Sequence, residues 1–112
     1  MTRNYLFLLP LLALAACTEQ KNEVQECAER ALSEARIHLT QKQFDAARDS
    51  IMSIRKNYPT AIDVRRRAIL LLDSIEMQAA EDSALYAAGD ERERLDMKAQ
   101  FFARKLEEDK KR

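Results

Sequence analysis

The chain is poor in the residues that build loops and catalytic sites: it has one glycine, two prolines, one histidine and no tryptophan. With a single glycine it cannot form most of the glycine-rich loops that cradle phosphate groups, and it contains no nucleophile elbow. Its two cysteines form neither a CxxC pair nor a Cys/His ligand set, so nothing supports a structural zinc site. We therefore expect no metal or cofactor site and no enzymatic activity.

Charged residues, by contrast, make up 34% of the 112 residues, with 19 basic and 19 acidic side chains. This balance argues against a generic binder of nucleic acid or of an anionic membrane. Alanine, leucine, glutamate, lysine and arginine dominate, which is the composition of helices and especially of long or coiled ones.

The first sixteen residues have the parts of a secretory signal. Arg3 supplies a positive charge, and an apolar run extends from Leu6 to Ala16. This run is 11 residues long, whereas a membrane-spanning helix needs about 20 residues. Pro10 lies within it and disfavours a stable helix. Residues 1–16 are therefore predicted to be a cleaved signal peptide.

The run Leu14-Ala15-Ala16-Cys17 at the end of this segment resembles the lipobox of bacterial lipoproteins. The resemblance implies cleavage before Cys17, lipid attached to that cysteine and a permanent membrane anchor, because several acyl chains hold a protein stably. Thr18 stands where an aspartate would signal retention in the inner membrane. We therefore expect a lipoprotein of the Gram-negative cell envelope, in the outer membrane, and leave open which side of that membrane it faces.

Apolar residues recur at helical spacings along most of the remaining chain. Residues 17–23 are polar and are predicted to form a lipidated tether. Residues 24–60 are predicted to form a helical hairpin, and residues 61–112 a C-terminal helical segment. The first two helices are expected over about 23–40 and 43–57. Their apolar stripes are Val24, Ala28, Ala31, Ala35 and Leu39, then Phe44, Ala47, Ile51 and Ile54. The third helix has Val64, Ala68, Leu71, Leu72, Ile75 and Ala79.

Two residues interrupt these patterns. Pro59 cannot continue the second helix, and Thr60 is expected to cap the third, with Asp63 completing a capping box. Gly89 leaves two alternatives: a turn, or one long helix that tolerates the glycine at about 1 kcal/mol. The apolar stripe resumes at Leu95, Ala99, Phe102 and Leu106, and the six charged residues at 107–112 are expected to fray. The predicted class is all-α, with one long or two shorter C-terminal helices, optionally packed as in a coiled coil.

Residues 28–61 resemble one tetratricopeptide repeat, a pair of antiparallel helices. The matching positions, which we expect to pack the hairpin, are Ala31, Ala35, Phe44, Ala47, Ile51, Ile54 and Pro59. Three positions depart from the repeat: Glu34 replaces a leucine, His38 an aromatic residue and Lys42 the turn glycine. Only about one and a half repeats are present, although such arrays usually need three. The resemblance implies a role in binding proteins rather than in catalysis.

Three further features have alternative interpretations. We expect Cys27 to pack as a small apolar residue, because a lipidated Cys17 would not be available to it; the alternative is an intermolecular disulfide or a reactive thiol. His38 is expected to pack or to face solvent rather than act in catalysis. Arg65, Arg66 and Arg67 form either a solvated helix face or a contact with lipid headgroups or an acidic partner.

The favoured function is a membrane-anchored envelope lipoprotein that binds or scaffolds another protein, with self-association through the C-terminal helix as one form of it. The alternative resembles the small helical lipoproteins that join the outer membrane to the cell wall through a C-terminal lysine. The sequence Lys110-Lys111-Arg112 departs from that family, which ends in lysine.

Overall fold

The computed structural model describes residues 21–112, so the predicted signal peptide and Cys17 lie outside the described residues. Within this range the chain forms four α-helices and no strand, which confirms the predicted all-α class. The helices are α1 (Lys21–Thr40), α2 (Phe44–Asn57), α3 (Ile62–Ala84) and α4 (Gly89–Lys110). Residues 21–23, expected to end the tether, already belong to α1. A helical hairpin is thus followed by two C-terminal helices.

The α1–α2 hairpin closes through a tight turn at residues 41–43. The amide of Gln43 donates a hydrogen bond of 2.9 Å to the carbonyl of His38. The side chains of the same two residues also meet, with His38 Nδ1 lying 2.8 Å from Gln43 Oε1. Lys42 adopts a left-handed backbone conformation with φ +58°. The turn therefore has the geometry that favours glycine, although its sequence has none.

The hydrophobic core lies between α1, α2 and the first half of α3. Small residues on α1 and α2, including Ala35 and Ala47, are fully buried and allow the two helices to approach closely. The buried core residues are Ala28, Leu32, Ala35, Ala47, Ile51, Ile54, Ala61, Val64, Ala68 and Ile75. Leu32 is fully buried but was not part of the predicted stripe, although it lies four residues after Ala28 and three before Ala35 on the same helix face.

The connection from α2 to α3 follows Pro59. The amide of Tyr58 still donates to the carbonyl of Ile54 at 2.9 Å, so α2 ends at Asn57 as the proline requires. The expected cap by Thr60 is wrong, because Ala61 is the N-cap of α3 and makes no side-chain hydrogen bond. Asp63 has a different partner, Arg67, from which it accepts a hydrogen bond of 2.9 Å.

The chain turns back between α3 and α4, which decides between the two alternatives left open at Gly89. Helix α3 ends at Ala84, and Gly89 opens α4 with φ +63°, a conformation that side chains disfavour. Among the described helices, α4 packs against α3 alone and runs antiparallel to it. The C-terminal residues do not fray as expected, because α4 remains helical to Lys110.

Candidate interaction surfaces

The residues predicted to pack the hairpin differ in burial. Ala35, Ala47, Ile51 and Ile54 are fully buried. Ala31 and Phe44 are half-buried and pack against the core, while Pro59 is exposed in the turn before α3. Cys17, the predicted lipidation site, lies outside the described residues.

Cys27 is buried in α1, with 7% of its surface exposed. The guanidinium of Arg30 lies 3.9 Å from its sulfur. The structure records Cys27 as disulfide-bonded and not as a free thiol. Cys27 therefore packs in the helix as expected, but not as the unpaired thiol that this interpretation assumed.

An ion-pair cluster joins α1 to α3 at Arg67. Its guanidinium donates to both carboxylate oxygens of Glu29, one of them at 3.1 Å, and also to Asp63. The hydrogen bond from Arg67 is the main reason that the pKa of Glu29 lies below its ordinary value, and the bond to Glu29 raises the pKa of Arg67. One of the three consecutive arginines therefore has a structural role.

A second ion pair joins α2 to α3. Arg48 Nε donates to Glu76 Oε1 at 2.7 Å, and Nη1 of the same guanidinium donates to Asp45 at 2.8 Å. The hydrogen bond to Glu76 raises the pKa of Arg48. The pair joins the first half of α2 to the second half of α3, as expected for antiparallel neighbours.

The contact between α3 and α4 contains a buried carboxyl group. Asp73 has only 2% of its surface exposed and lies within an otherwise apolar stretch of α3. Lys105 Nζ on α4 lies 3.0 Å from Asp73 Oδ1 and 2.7 Å from Asp109 Oδ2. One ammonium group therefore bridges two carboxyl groups where the helices meet.

Asp73 and Asp109 lie close enough together to shift each other's pKa in opposite directions. Burial is the main cause of the raised pKa of Asp73; Asp109 adds to the rise and Lys105 opposes it. Asp73 and Lys105 both lower the pKa of Asp109. Among the described residues, Asp73 Oδ2 is buried and has no hydrogen-bond partner.

A groove of about 660 Å³ runs beside the first half of α3, and we call it the basic groove. It is lined by Arg55, Ile62, Arg65, Arg66, Ile69, Leu70, Lys105, Asp109 and Arg112. Five of these nine residues are basic and one is acidic. Ile62 and Ile69 are 64% and 40% exposed, so the groove combines apolar and positively charged surface.

The outer face of α4 carries a second surface. Met97 and Phe101 lie one helical turn apart and are 63% and 53% exposed. The ring of Phe101 packs edge-on against that of Phe102, with 5.1 Å between the ring centroids. Because Phe102 is half-buried, this contact restrains an otherwise exposed aromatic ring.

The part of the chain that the structure describes contains no group of three His, Cys, Asp or Glu side chains able to hold a metal ion. Within residues 21–112, no helix combines the length and apolar character needed to span a membrane. His38, the single histidine, is bound to Gln43 in the α1–α2 turn.

The buried carboxyl group at Asp73 and the left-handed Lys42 were not anticipated from the sequence. The signal for Asp73 was a single acidic residue after Leu70-Leu71-Leu72 and shortly before Ile75, which placed it on the apolar side of α3.

Comparison of the chain with protein-family models, with curated proteins and with solved structures finds no match.

Proposed function

We propose that this protein is a membrane-anchored lipoprotein of the cell envelope whose helical body binds or scaffolds another protein without performing chemistry. The observation that carries the binding role is the outer face of α4, where Met97 and Phe101 are exposed on a helix with one neighbouring helix among those described. Neighbouring exposed apolar side chains on a rigid helix are typical of protein contact sites.

The resemblance of residues 28–61 to a tetratricopeptide repeat supports the same role. In this proposal the α1–α2 hairpin and α3 form a rigid body, and α4 presents the contact residues. Phe101 and Met97 would insert between side chains of a partner, which is either another envelope protein or a second copy of this chain.

The binding role is tested by placing a photo-crosslinking amino acid at Met97 in the full chain, expressed in a Gram-negative host. We expect a discrete adduct, whose mass distinguishes a second copy from another protein. The same amino acid at Ser33, an exposed position on α1, is the matched control and should give no adduct. The change Phe101→Ser should abolish the adduct while leaving thermal unfolding nearly unchanged. If neither a partner nor a second copy is captured from Met97, the binding role fails.

The membrane anchor requires lipid attached through the sulfur of Cys17. A sulfur that carries lipid cannot also form a disulfide. Intact mass under non-reducing conditions distinguishes the two states, because acyl chains add mass that a reductant does not remove.

Fractionation provides a second test of the anchor. We expect the Cys17→Ala variant to leave the membrane fraction after a high-salt wash, whereas Cys27→Ala, the matched control, should remain in it. A Cys17→Ala variant that stays in the membrane fraction would show that lipid on this residue is not the main anchor.

A further inference from the structure

We propose that the basic groove docks on the phosphate-bearing headgroups of the membrane that holds the lipid on Cys17. The end of the helical body that contains the groove would then contact the bilayer. The inference rests on the lipid anchor of the proposed function and adds an orientation to it. It requires that the groove lie near the anchor, that its charges be available, and that the tether be short.

The groove lies at the end of the molecule where α1 begins. Glu29 on α1 pairs with Arg67 on α3, so the two helices lie side by side; they run in the same direction because each is antiparallel to α2. Glu29 is eight residues from the start of α1 and Arg67 five from the start of α3. At about 1.5 Å per residue, the two helix starts lie at similar levels. Ile62 and Arg66 of the groove are therefore close to the beginning of α1 along the molecule.

The tether sets how far this end can be from the bilayer. Four peptide units separate Cys17 from Lys21, where α1 begins. A fully extended chain spans at most about 3.5 Å per residue, or about 14 Å in total. This reach is about twice the headgroup thickness of one leaflet, which is about 5–7 Å, so the start of α1 stays close to the membrane surface.

Several charges of the groove have no partner within the described part of the protein. Arg55 and Arg66 are exposed and form no side-chain hydrogen bond or ion pair there. The acidic residue of the groove, Asp109, is engaged by Lys105. Although the chain as a whole is nearly neutral, this surface carries an excess of positive charge. Basic residues close to an anionic surface bind it additively.

The apolar residues of the groove also suit binding to a membrane surface. Ile62 is 64% exposed beside arginine side chains, an arrangement that suits the boundary between headgroups and acyl chains. The tether holds this surface next to the bilayer, so even weak attraction yields a populated docked state. An acidic peptide would match the charges equally well, but the position of the groove at the anchored end favours the membrane.

The test uses single tryptophan probes, because the chain contains no tryptophan. Ile62→Trp reports on the groove, and Tyr86→Trp is the matched control in the turn just beyond the opposite end of α3, at a position that is 87% exposed. The full lipidated protein is reconstituted in vesicles of equal parts phosphatidylcholine and phosphatidylglycerol that contain a headgroup spin label. We expect the probe at position 62 to be quenched and the probe at position 86 to remain bright.

Charge variants test the cause of docking. In the Ile62→Trp background, the pair Arg55→Gln and Arg66→Gln should lower the ratio of docked to undocked protein about 25-fold, since each basic residue near an anionic surface adds about fivefold. The pair Arg92→Gln and Arg94→Gln removes the same charge from the other end of α4 and should have no effect. High salt or vesicles of pure phosphatidylcholine should also relieve the quenching.

Flotation of the same vesicles separates this inference from the proposed function. If the protein floats and position 62 is not quenched, the anchor stands and the docking inference is overturned. If an acidic peptide such as polyglutamate then shifts the emission at position 62, the groove binds peptides instead. If the protein does not float, the anchor fails and the inference fails with it.

Discussion

Helices α2 and α4 are each packed against the body of the protein, but by different kinds of contact. In 14 residues α2 buries Ala47, Ile51 and Ile54 against α1 and α3. In 22 residues α4 buries only Ala99, and its most enclosed polar contact is Lys105 with Asp73. Apolar burial grows with contact area, whereas a buried ionic contact is stable only while each charge keeps its partner. The hairpin is thus held mainly by full apolar burial, whereas α4 combines half-buried apolar residues such as Leu95 and Phe102 with an ion pair at a buried carboxyl group.

The comparison predicts the largest loss of stability from the hairpin core. Ile51→Ala should lower the free energy of unfolding by about 3 kcal/mol, because it removes a fully buried side chain from a packed site. Met52→Ala, the matched control, affects the next residue, which is 52% exposed, and should change stability by less than about 0.5 kcal/mol. Urea unfolding followed by circular dichroism measures both. Similar losses for the two variants would contradict the placement of the core.

A smaller and more local effect is expected where α4 meets α3. Lys105→Met should lower stability by about 1–2 kcal/mol, since it leaves two carboxyl groups facing each other and the ammonium was partly exposed to solvent. Amide hydrogen exchange should accelerate in α4 and stay unchanged in the α1–α2 hairpin. Arg104→Met changes the neighbouring exposed cation and serves as the control. If exchange accelerates throughout the protein, α4 is not a separate unit of stability.

The carboxyl pair makes this contact sensitive to pH in two opposite ways. Burial raises the pKa of Asp73 above its ordinary value of 3.8. Its contribution to stability is therefore fully present below pH 3.8 and is lost as the pH rises through the folded-state pKa. The pKa of Asp109 is lowered, so its contribution is present above 3.8 and is lost in stronger acid. Stability should therefore decline modestly as the pH rises above 3.8 and Asp73 loses its proton.

Asp73→Asn tests this pH dependence, because the amide has nearly the same shape as the carboxyl group and carries no charge at any pH. We expect stability at neutral pH to be unchanged or raised by less than about 1 kcal/mol, since no charge is then buried. The decline in stability as the pH rises above 3.8 should disappear. Asp96→Asn, at an exposed position on α4, should leave the pH profile as it is. A variant that loses stability at every pH would show that Asp73 is needed as a carboxylate.

The sequence predicted the elements that depend on residues close together in the chain. The helical spacing of apolar residues and the restriction imposed by Pro59 located the α1–α2 hairpin and the start of the C-terminal segment. The break at Gly89 stayed open, because one glycine costs a long helix too little to decide between a turn and a continuous helix. Packing of α4 on α3, which depends on residues distant in sequence, selected the turn.

Side-chain partners on different helices could not be predicted from the sequence either, because they too depend on contacts between residues distant in the chain. Threonine is common at helix N-caps, which made Thr60 the expected cap. The N-cap of α3 is instead the next residue, Ala61, and Asp63 pairs with Arg67. Arg67 itself was grouped with Arg65 and Arg66, and only the position of Glu29 on α1 separates their roles. The candidate interaction surfaces likewise depend on which helix faces remain uncovered after folding.

The smallest predicted effect concerns the α1–α2 turn. Lys42 has φ +58°, which is unfavourable for any residue with a Cβ, by about 1 kcal/mol relative to glycine. Its ammonium lies 3.3 Å from Asp82, but it is 70% exposed and such a pair contributes little. Lys42→Gly should therefore raise the free energy of unfolding by about 0.5 kcal/mol after the greater chain entropy of glycine is included. Gln41→Gly, one residue earlier and without a positive φ, should instead lower it. If both glycine variants lose stability alike, the ion pair with Asp82 outweighs the backbone strain, and charge pairing contributes to the hairpin as well as to α4.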